Sequence, residues 1–378
     1  MTTLTRFGSR SRQQRLRDVI ASMKIDAAFV TDYRDIYYFT GAFVQPWPAC
    51  LMIDQAGHSW LIAQESAQSP AVDDLITYQP HTLYTSNPDN LRILNGLVVK
   101  MAGSYSRAQR LGWQAESMPH LLASTLLAGR EPDAWAGMDD QIAMMQTRKD
   151  PDELALIRRS IRADLAAYSA AQAAIVDGAN ELEVLAIAQR AAMLDAGENV
   201  YHGGDYRCGE MAGAARDRII ETGELFTVDA QTVYRGYWCD LSRTYCVGAQ
   251  PTDLQQSIFD HIAAIQRGLV DLLRPGVRGT DIWRMLDERI REHPALADVG
   301  LVHHAGHGVG LRAQEAPDLN RDREGILEVG SVVAVEPGAY IAPARLGVRL
   351  ENMYLITESG AEIMSEYPMN LMPDRMSV

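Results

Sequence analysis

The 378-residue chain carries four cysteines, no run of about 18 apolar residues and no excess of basic charge, and each shortage excludes a class of protein. Cys50, Cys208, Cys239 and Cys246 are too few and too scattered for a disulfide scaffold, and no C-x-x-C pair suggests structural zinc or a redox dithiol. They read as small core hydrophobes. Lys+Arg total 35 against 49 Asp+Glu, a net charge of −14, and a field of that sign repels phosphate backbones and anionic membrane surfaces. Nucleic acid and membranes are therefore not expected partners. The opening MTTLTRFGSRSRQQRLRD lacks an apolar stretch of signal-peptide length, from which a cytoplasmic protein is expected. What is present is ordinary for a globular chain: 47% hydrophobic and 22% charged residues argue against disorder, and the length suits two domains at about 150 residues each.

The first third reads as an α/β domain. Leu16, Val19, Ile20 and Met23 share one helix face, a buried strand is expected at Ala27–Thr31, and the run Tyr37–Gly41 reads as a further strand. Cys50–Asp54 and Ser59–Ala63 read as a hairpin. Near residue 148 the pattern changes: Asp150, Pro151 and Glu153 spell a capped helix start. A helix carrying Leu154, Ile157, Ile161, Leu165 and Tyr168 and ending at Gly178 is followed by one between Asn180 and Gly197, then by strands at Leu225–Val228 and Tyr237–Val247. The same order recurs, with a helix opened by Thr252 and Gln255, a second capped by Thr280, and strands at Val332–Val335 and Val348–Ile356.

Acidic residues interrupt those apolar strands. Asp229 ends Leu225-Phe-Thr-Val, Asp240 follows eleven positions later before Leu-Ser-Arg-Thr, Glu336 lies in Val-Glu-Pro-Gly, and Glu351 in Gly-Val-Arg-Leu-Glu. A carboxylate in an apolar strand is costly unless it is paired or bound to metal. Between the halves lies His303-His-Ala-Gly-His307-Gly-Val-Gly. Taken singly, Asp229 or Asp240 could merely end a strand, Glu336 could precede a turn, and Glu351 could form a solvent-facing pair with Arg349. The glycines 306, 308 and 310 have the spacing of a phosphate loop, but no long apolar helix follows them, which discounts dinucleotide binding. Jointly, four carboxylates and an imidazole could hold two hard to borderline divalent ions.

Together these segments resemble the pita-bread metallohydrolases, the family of methionine aminopeptidase, aminopeptidase P, prolidase and creatinase. In that family the metal ligands are an Asp, a second Asp eleven residues on, the last His of His-x-x-Gly-His-Gly-x-Gly, and the Glu residues of Val-Glu-Pro-Gly and Gly-Val-Arg-x-Glu. Asp229, Asp240, His307, Glu336 and Glu351 match them in order. Ile25–Thr31 and Tyr37–Gly41 resemble the amino-terminal domain of the prolidase, aminopeptidase P and creatinase branch, so the resemblance covers essentially the whole chain. It implies an α+β protein: an amino-terminal creatinase-like α/β domain over 1–147, then a catalytic pita-bread domain over 148–378 with duplicated helix-helix-strand-strand halves.

The same resemblance implies two divalent metal ions, Mn²⁺ first with Co²⁺, Zn²⁺ or Fe²⁺ as alternatives, sharing a water or hydroxide that attacks a polarised carbonyl. The activity implied is hydrolysis of a C–N bond in a short peptide or peptide-like amide, of the Xaa-Pro dipeptidase or aminopeptidase type. Glu336 would be ligand and proton shuttle, His303 would hydrogen-bond the substrate or tetrahedral intermediate, and Gln314 and Arg349 would contact substrate. His304 is left as structural. A homodimer is implied, in which Trp47 reaches the neighbouring subunit's pocket or else tucks onto its own domain.

Two positions depart from the proline-directed pattern. Gln314 stands seven residues after His307 and Ala212 seventeen before Asp229, where those members carry histidines. Glutamine can donate or accept a hydrogen bond but cannot change charge near neutral pH. Two other functions therefore stay open: a non-peptidase enzyme of this fold on a small charged metabolite (creatinase-like, ectoine-hydrolase-like or dimethylsulfoniopropionate-lyase-like), and a catalytically silent binding protein. His202, Asp205, Arg207, Glu210, Arg216 and Arg218 read as surface charges, any of which could contact a charged small molecule.

Overall fold

The structure, a computed structural model, describes residues 2–372 except 66, 68, 81–88, 104–109 and 210. Glu210 thus lies outside the described residues. The chain forms two compact units, one over Thr3–Met145 and one from Gln146 onward. In the first, α1 (Arg6–Ser22) precedes β1 (Ala27–Val30), α2 (Tyr33–Thr40), β2 (Cys50–Asp54) and β3 (Ser59–Gln64). After them come β4 (Asp74–Tyr78), α3 (Asn90–Ala102), β5 (Leu111–Trp113), α4 (His120–Leu127), β6 (Trp135–Gly137) and α5 (Asp139–Gln146). The sheet runs β4-β3-β2-β1-β5-β6, antiparallel at β1/β2 and β2/β3 and parallel elsewhere.

One expected strand is a helix. Tyr37–Thr40 is the end of α2, because Asp32 caps the helix by accepting from the Arg34 N–H at 2.8 Å and Gly41 closes it in the left-handed region at φ 72°. Caps and the burial of Asp35–Thr40 outweigh the β preference of the aromatics. All four cysteines are buried and unbridged.

The second unit opens with the capping box at Asp150, whose N–H donates to Glu153 at 2.9 Å, with Pro151 at the first position of α6 (Pro151–Ala174). This helix stops four residues short of Gly178. Then come α7 (Glu181–Ala196), β7 (Tyr201–Cys208), β8 (Leu225–Tyr234), β9 (Tyr237–Trp238) and β10 (Leu241–Cys246), with β8 antiparallel between β7 and β10. The second half repeats two helices, α8 (Asp253–Gly268) and α9 (Gly279–Arg291). The α9 cap is Arg278, so Thr280 falls in the first turn rather than before it. The strands β11 (Gly306–Gly308), β12 (Glu315–Leu319), β13 (Val332–Val335), β14 (Gly338–Ile341), β15 (Leu346–Arg349), β16 (Asn352–Thr357) and β17 (Gly360–Ile363) follow. They form the sheet β12-β11-β13-β16-β17 and the hairpin β14-β15. The strand expected over Val348–Ile356 is therefore two, broken at Leu350 and Glu351.

A core of Ile258, Ile262, Leu286, Val333, Val335 and Leu350 joins helices to strands within this unit. β7 is a strand the sequence does not announce. It contains Gly203 and Gly204, and Gly204, at φ 130°, has no room for a Cβ beside the Asp229 carbonyl oxygen. Among the described residues no helix is long and apolar enough to cross a membrane.

Candidate metal centre

Alternation along β8 sends Asp229 and Gln231 to one face and Val228, Ala230 and Thr232 to the other. Asp240 precedes β10, His307 is the centre of β11, Glu336 follows β13, and Glu351 sits in the break between β15 and β16. Backbone bonds fix the ends of these elements. Glu336 N–H donates to Ala305 O at 2.9 Å and Glu351 N–H to Ser242 O at 3.0 Å. Fully buried Arg243 donates to the carbonyls of Glu351 at 2.6 Å and Tyr367 at 2.7 Å, which ties β10 to the Glu351 break. Nothing in the sequence alone marks that arginine.

The five residues line one cavity of about 240 Å³, and each is at most 8% exposed. Ligand atoms of Asp240, His307 and Glu351 lie within 4.8 Å of one another. His307 Nδ1 is 3.0 Å from Gly308 O, which only accepts, so Nδ1 carries the proton and Nε2 keeps its lone pair. That Nε2 lies 3.7 Å from both Asp240 Oδ2 and Glu336 Oε1. Gln231 donates to Asp240 Oδ2 at 2.8 Å. Arg349 pairs with Asp229 and donates to Asp205 Oδ2 at 2.8 Å. Asp205 lies directly across the β7/β8 register from Asp229.

The charges do not balance. Burial and neighbouring carboxylates push Asp229 up to about 7, against the pull of Arg349, and raise Asp240 and Glu351 well above the usual carboxylate range. Burial would raise Glu336 too, but His304, His303 and His307 outweigh it and hold it at about 2. Asp240 Oδ1 and both oxygens of Glu351 are buried without a hydrogen-bond partner among the described residues. Orphaned carboxylate oxygens beside an imidazole lone pair are what divalent ions require, so these residues fit the two ions the resemblance implies.

Gln314 and Arg349 line the cavity; Ala212 does not. His303 does not line it either: its Nδ1 donates to His304 O at 2.6 Å, its Nε2 lies 3.0 Å from the Tyr340 hydroxyl, and Trp283 holds its carbonyl at 2.8 Å. His304, left as structural from sequence, is on the cavity wall, with Nδ1 3.2 Å from Glu336 Oε1. Asp205 also lines the cavity. His202, read as a surface charge, is buried. Its Nδ1 contacts Thr232 Oγ1 at 2.8 Å and its Nε2 the Tyr206 hydroxyl at 2.6 Å. A polar strand invisible in the sequence hid it. Trp47 is a half-buried loop residue of the first unit, its N–H 3.2 Å from Val44 O.

Paired helix-helix-sheet halves with a carboxylate-rich, imidazole-containing cluster are the arrangement the resemblance implies for a metal-dependent hydrolase. Residues 155–358 match the model of metallopeptidase family M24, and residues 12–133 match the creatinase/prolidase N-terminal domain. The chain belongs to metallopeptidase family M24, and its fold is the α+β pita-bread architecture behind a creatinase-type domain. It is 31% identical over 233 residues to an Xaa-Pro dipeptidase of Pyrococcus furiosus, covering 61% of this chain and 66%, just under two thirds, of that one. An Xaa-Pro dipeptidase of Pyrococcus horikoshii is 28% identical over 349 residues, 90% of this chain and 93% of the relative. The solved prolidase structure of Pyrococcus horikoshii OT3 superposes with a TM-score of 0.77 at 24% identity, over 96% of this chain and 100% of that one.

Proposed function

We propose that this protein is a dinuclear metallohydrolase that cleaves the C–N bond of a short Xaa-Pro peptide or peptide-like amide. The observation that carries the reading is the set of orphaned oxygens on Asp240 and Glu351 inside a cavity where five carboxylates face one guanidinium. Asp229, Asp240, His307, Glu336 and Glu351 would hold two divalent ions, Mn²⁺ first among them, which supply an acidified water and a Lewis acid for the scissile carbonyl. The chain's own groups do the rest. Glu336 would be ligand and proton shuttle, as the family resemblance implies, and Gln231 orients Asp240. Arg349 offsets the charge of Asp229 and Asp205, so its guanidinium is committed to the wall more than to substrate. Gln314 remains at the rim as a neutral hydrogen-bonding contact. A homodimer and a cytoplasmic location belong to the same reading.

The test is hydrolysis of Xaa-Pro dipeptides and Xaa-Pro-Yaa tripeptides by protein stripped of metal and reloaded with Mn²⁺, Co²⁺ or Zn²⁺. Metal-restored cleavage supports the peptidase reading. Two bound ions with no cleavage of the panel support the second reading, a hydrolase or lyase of a small charged metabolite. Gln314 and Ala212, where proline-directed members carry imidazoles, favour that alternative.

A further inference from the structure

His304 lines the cavity, yet neither the sequence nor the family resemblance supplies a role for it. Its Nδ1 is buried and makes no hydrogen bond among the described residues, although it lies 3.2 Å from Glu336 Oε1. At that spacing the pair misses hydrogen-bond geometry. In a hydrogen bond the N–H points at the oxygen; in a chelate both lone pairs point at a third position. Glu336 Oε1 also lies 3.7 Å from His307 Nε2. Atoms bound to one ion at about 2.1 Å stand roughly 3.0–3.4 Å apart at octahedral or tetrahedral angles, so both spacings need adjustments of only a few tenths of an ångström. The His304 and His307 rings are 5.5 Å apart, centre to centre, and tilted by 71°. Two imidazoles on one ion place their centroids roughly 4.5–5.5 Å apart at the same bond length.

His304, His303 and Glu336 also form a second group of potential ligands beside the Asp240, His307 and Glu351 group. His303 drops out of it, since its Nδ1 is held by a backbone carbonyl and its Nε2 by Tyr340. We propose that His304 is a sixth protein ligand of the metal centre, binding through Nδ1 beside Glu336, so that one of the two ions carries both His304 and His307. This rests on the dinuclear reading above. A site with two nitrogens among its donors is softer than one with a single nitrogen, so that ion position prefers Zn²⁺ or Co²⁺ to Mn²⁺.

The experiment uses full-length protein with ¹⁵N-labelled histidine, titrated with Zn²⁺ and followed by NMR of the nine imidazoles, together with calorimetry of Zn²⁺ and Mn²⁺ binding to the wild type and to His304→Ala. Two imidazoles are expected to take the metal-bound signature, one of them absent from the variant. The variant is expected to lose roughly a hundredfold in affinity at one of two ion sites, more for Zn²⁺ than for Mn²⁺. One metal-bound imidazole and unchanged affinity in the variant would overturn the inference while leaving the dinuclear reading intact. No bound ion at all would overturn both. Should the variant fold poorly by circular dichroism, the count of metal-bound imidazoles in the wild type decides alone.

Discussion

Strand β8 carries buried polar side chains on both faces, and the protein treats them oppositely. On the face toward α6, Thr232 donates to Asp164 at 2.7 Å and contacts His202, which reaches Tyr206, and no buried polar atom of these four side chains lacks a partner. On the cavity face, Asp240 and Glu351 hold three orphaned oxygens a few ångströms from other carboxylates. Burial raises the carboxyl of Asp164 as it raises those of Asp240 and Glu351. One set is closed by protein donors, and the other is left for something the chain does not contain. A fold that can satisfy buried polar groups a strand's thickness away has no structural need for the open set, which supports the proposal that function lies on the cavity face.

The contrast can be broken from either side. Asp240→Ala should abolish metal-dependent turnover and weaken calorimetric metal binding by roughly a hundredfold or more. The metal-free variant should melt no lower than metal-free wild type, because a buried carboxyl oxygen without a partner, Asp240 Oδ1, has been removed. A clearly lower melting temperature would mean that Asp240 is already satisfied. Thr232→Val should do the reverse: it removes the hydroxyl that bridges Asp164 and His202, lowers stability to urea by about 1–3 kcal/mol, and leaves the metal stoichiometry unchanged.

Gln231→Leu lies between the two. It removes the donor that orients Asp240 without removing a ligand, and metal affinity should fall by about tenfold with little change in melting. The smallest effect concerns Glu181, which is fully buried yet paired with Arg216 at 2.6 Å. Burial raises its carboxyl, but Arg216 and the N–H groups of Cys208 and Arg216 outweigh that and lower it. A lowered folded-state value gives stability that is complete above the ordinary carboxylate range and is lost as pH falls through it. Glu181→Gln should therefore cost about 1 kcal/mol at pH 7 and flatten the acid limb of the stability curve below about pH 4.5, as measured by urea unfolding at several pH values.

Much of this was legible in the sequence where local chemistry decides structure. The capping residues Asp150 and Glu153, and Thr252 and Gln255, mark their helices because the groups that satisfy the free N–H donors are three residues apart. The carboxylates in apolar strands stand out because burial makes them costly. What escaped depends on partners distant in the chain. β7 is a strand because β8 pairs with it, and its glycines and charges carry no strand pattern of their own. His202 is buried by that pairing. Whether His303 or His304 faces the cavity depends on which ring Tyr340 and Glu336 receive, and adjacent histidines in a loop give no sign of it.

The central claim is that the open carboxylates are a two-metal centre. Anomalous diffraction from Co²⁺-soaked crystals of the full chain addresses it directly. The account predicts two cobalt peaks per chain, enclosed by Asp229, Asp240, His307, Glu336 and Glu351. Cobalt found only at other acidic groups, such as Asp150 and Asp152, with none in this cavity, would contradict it.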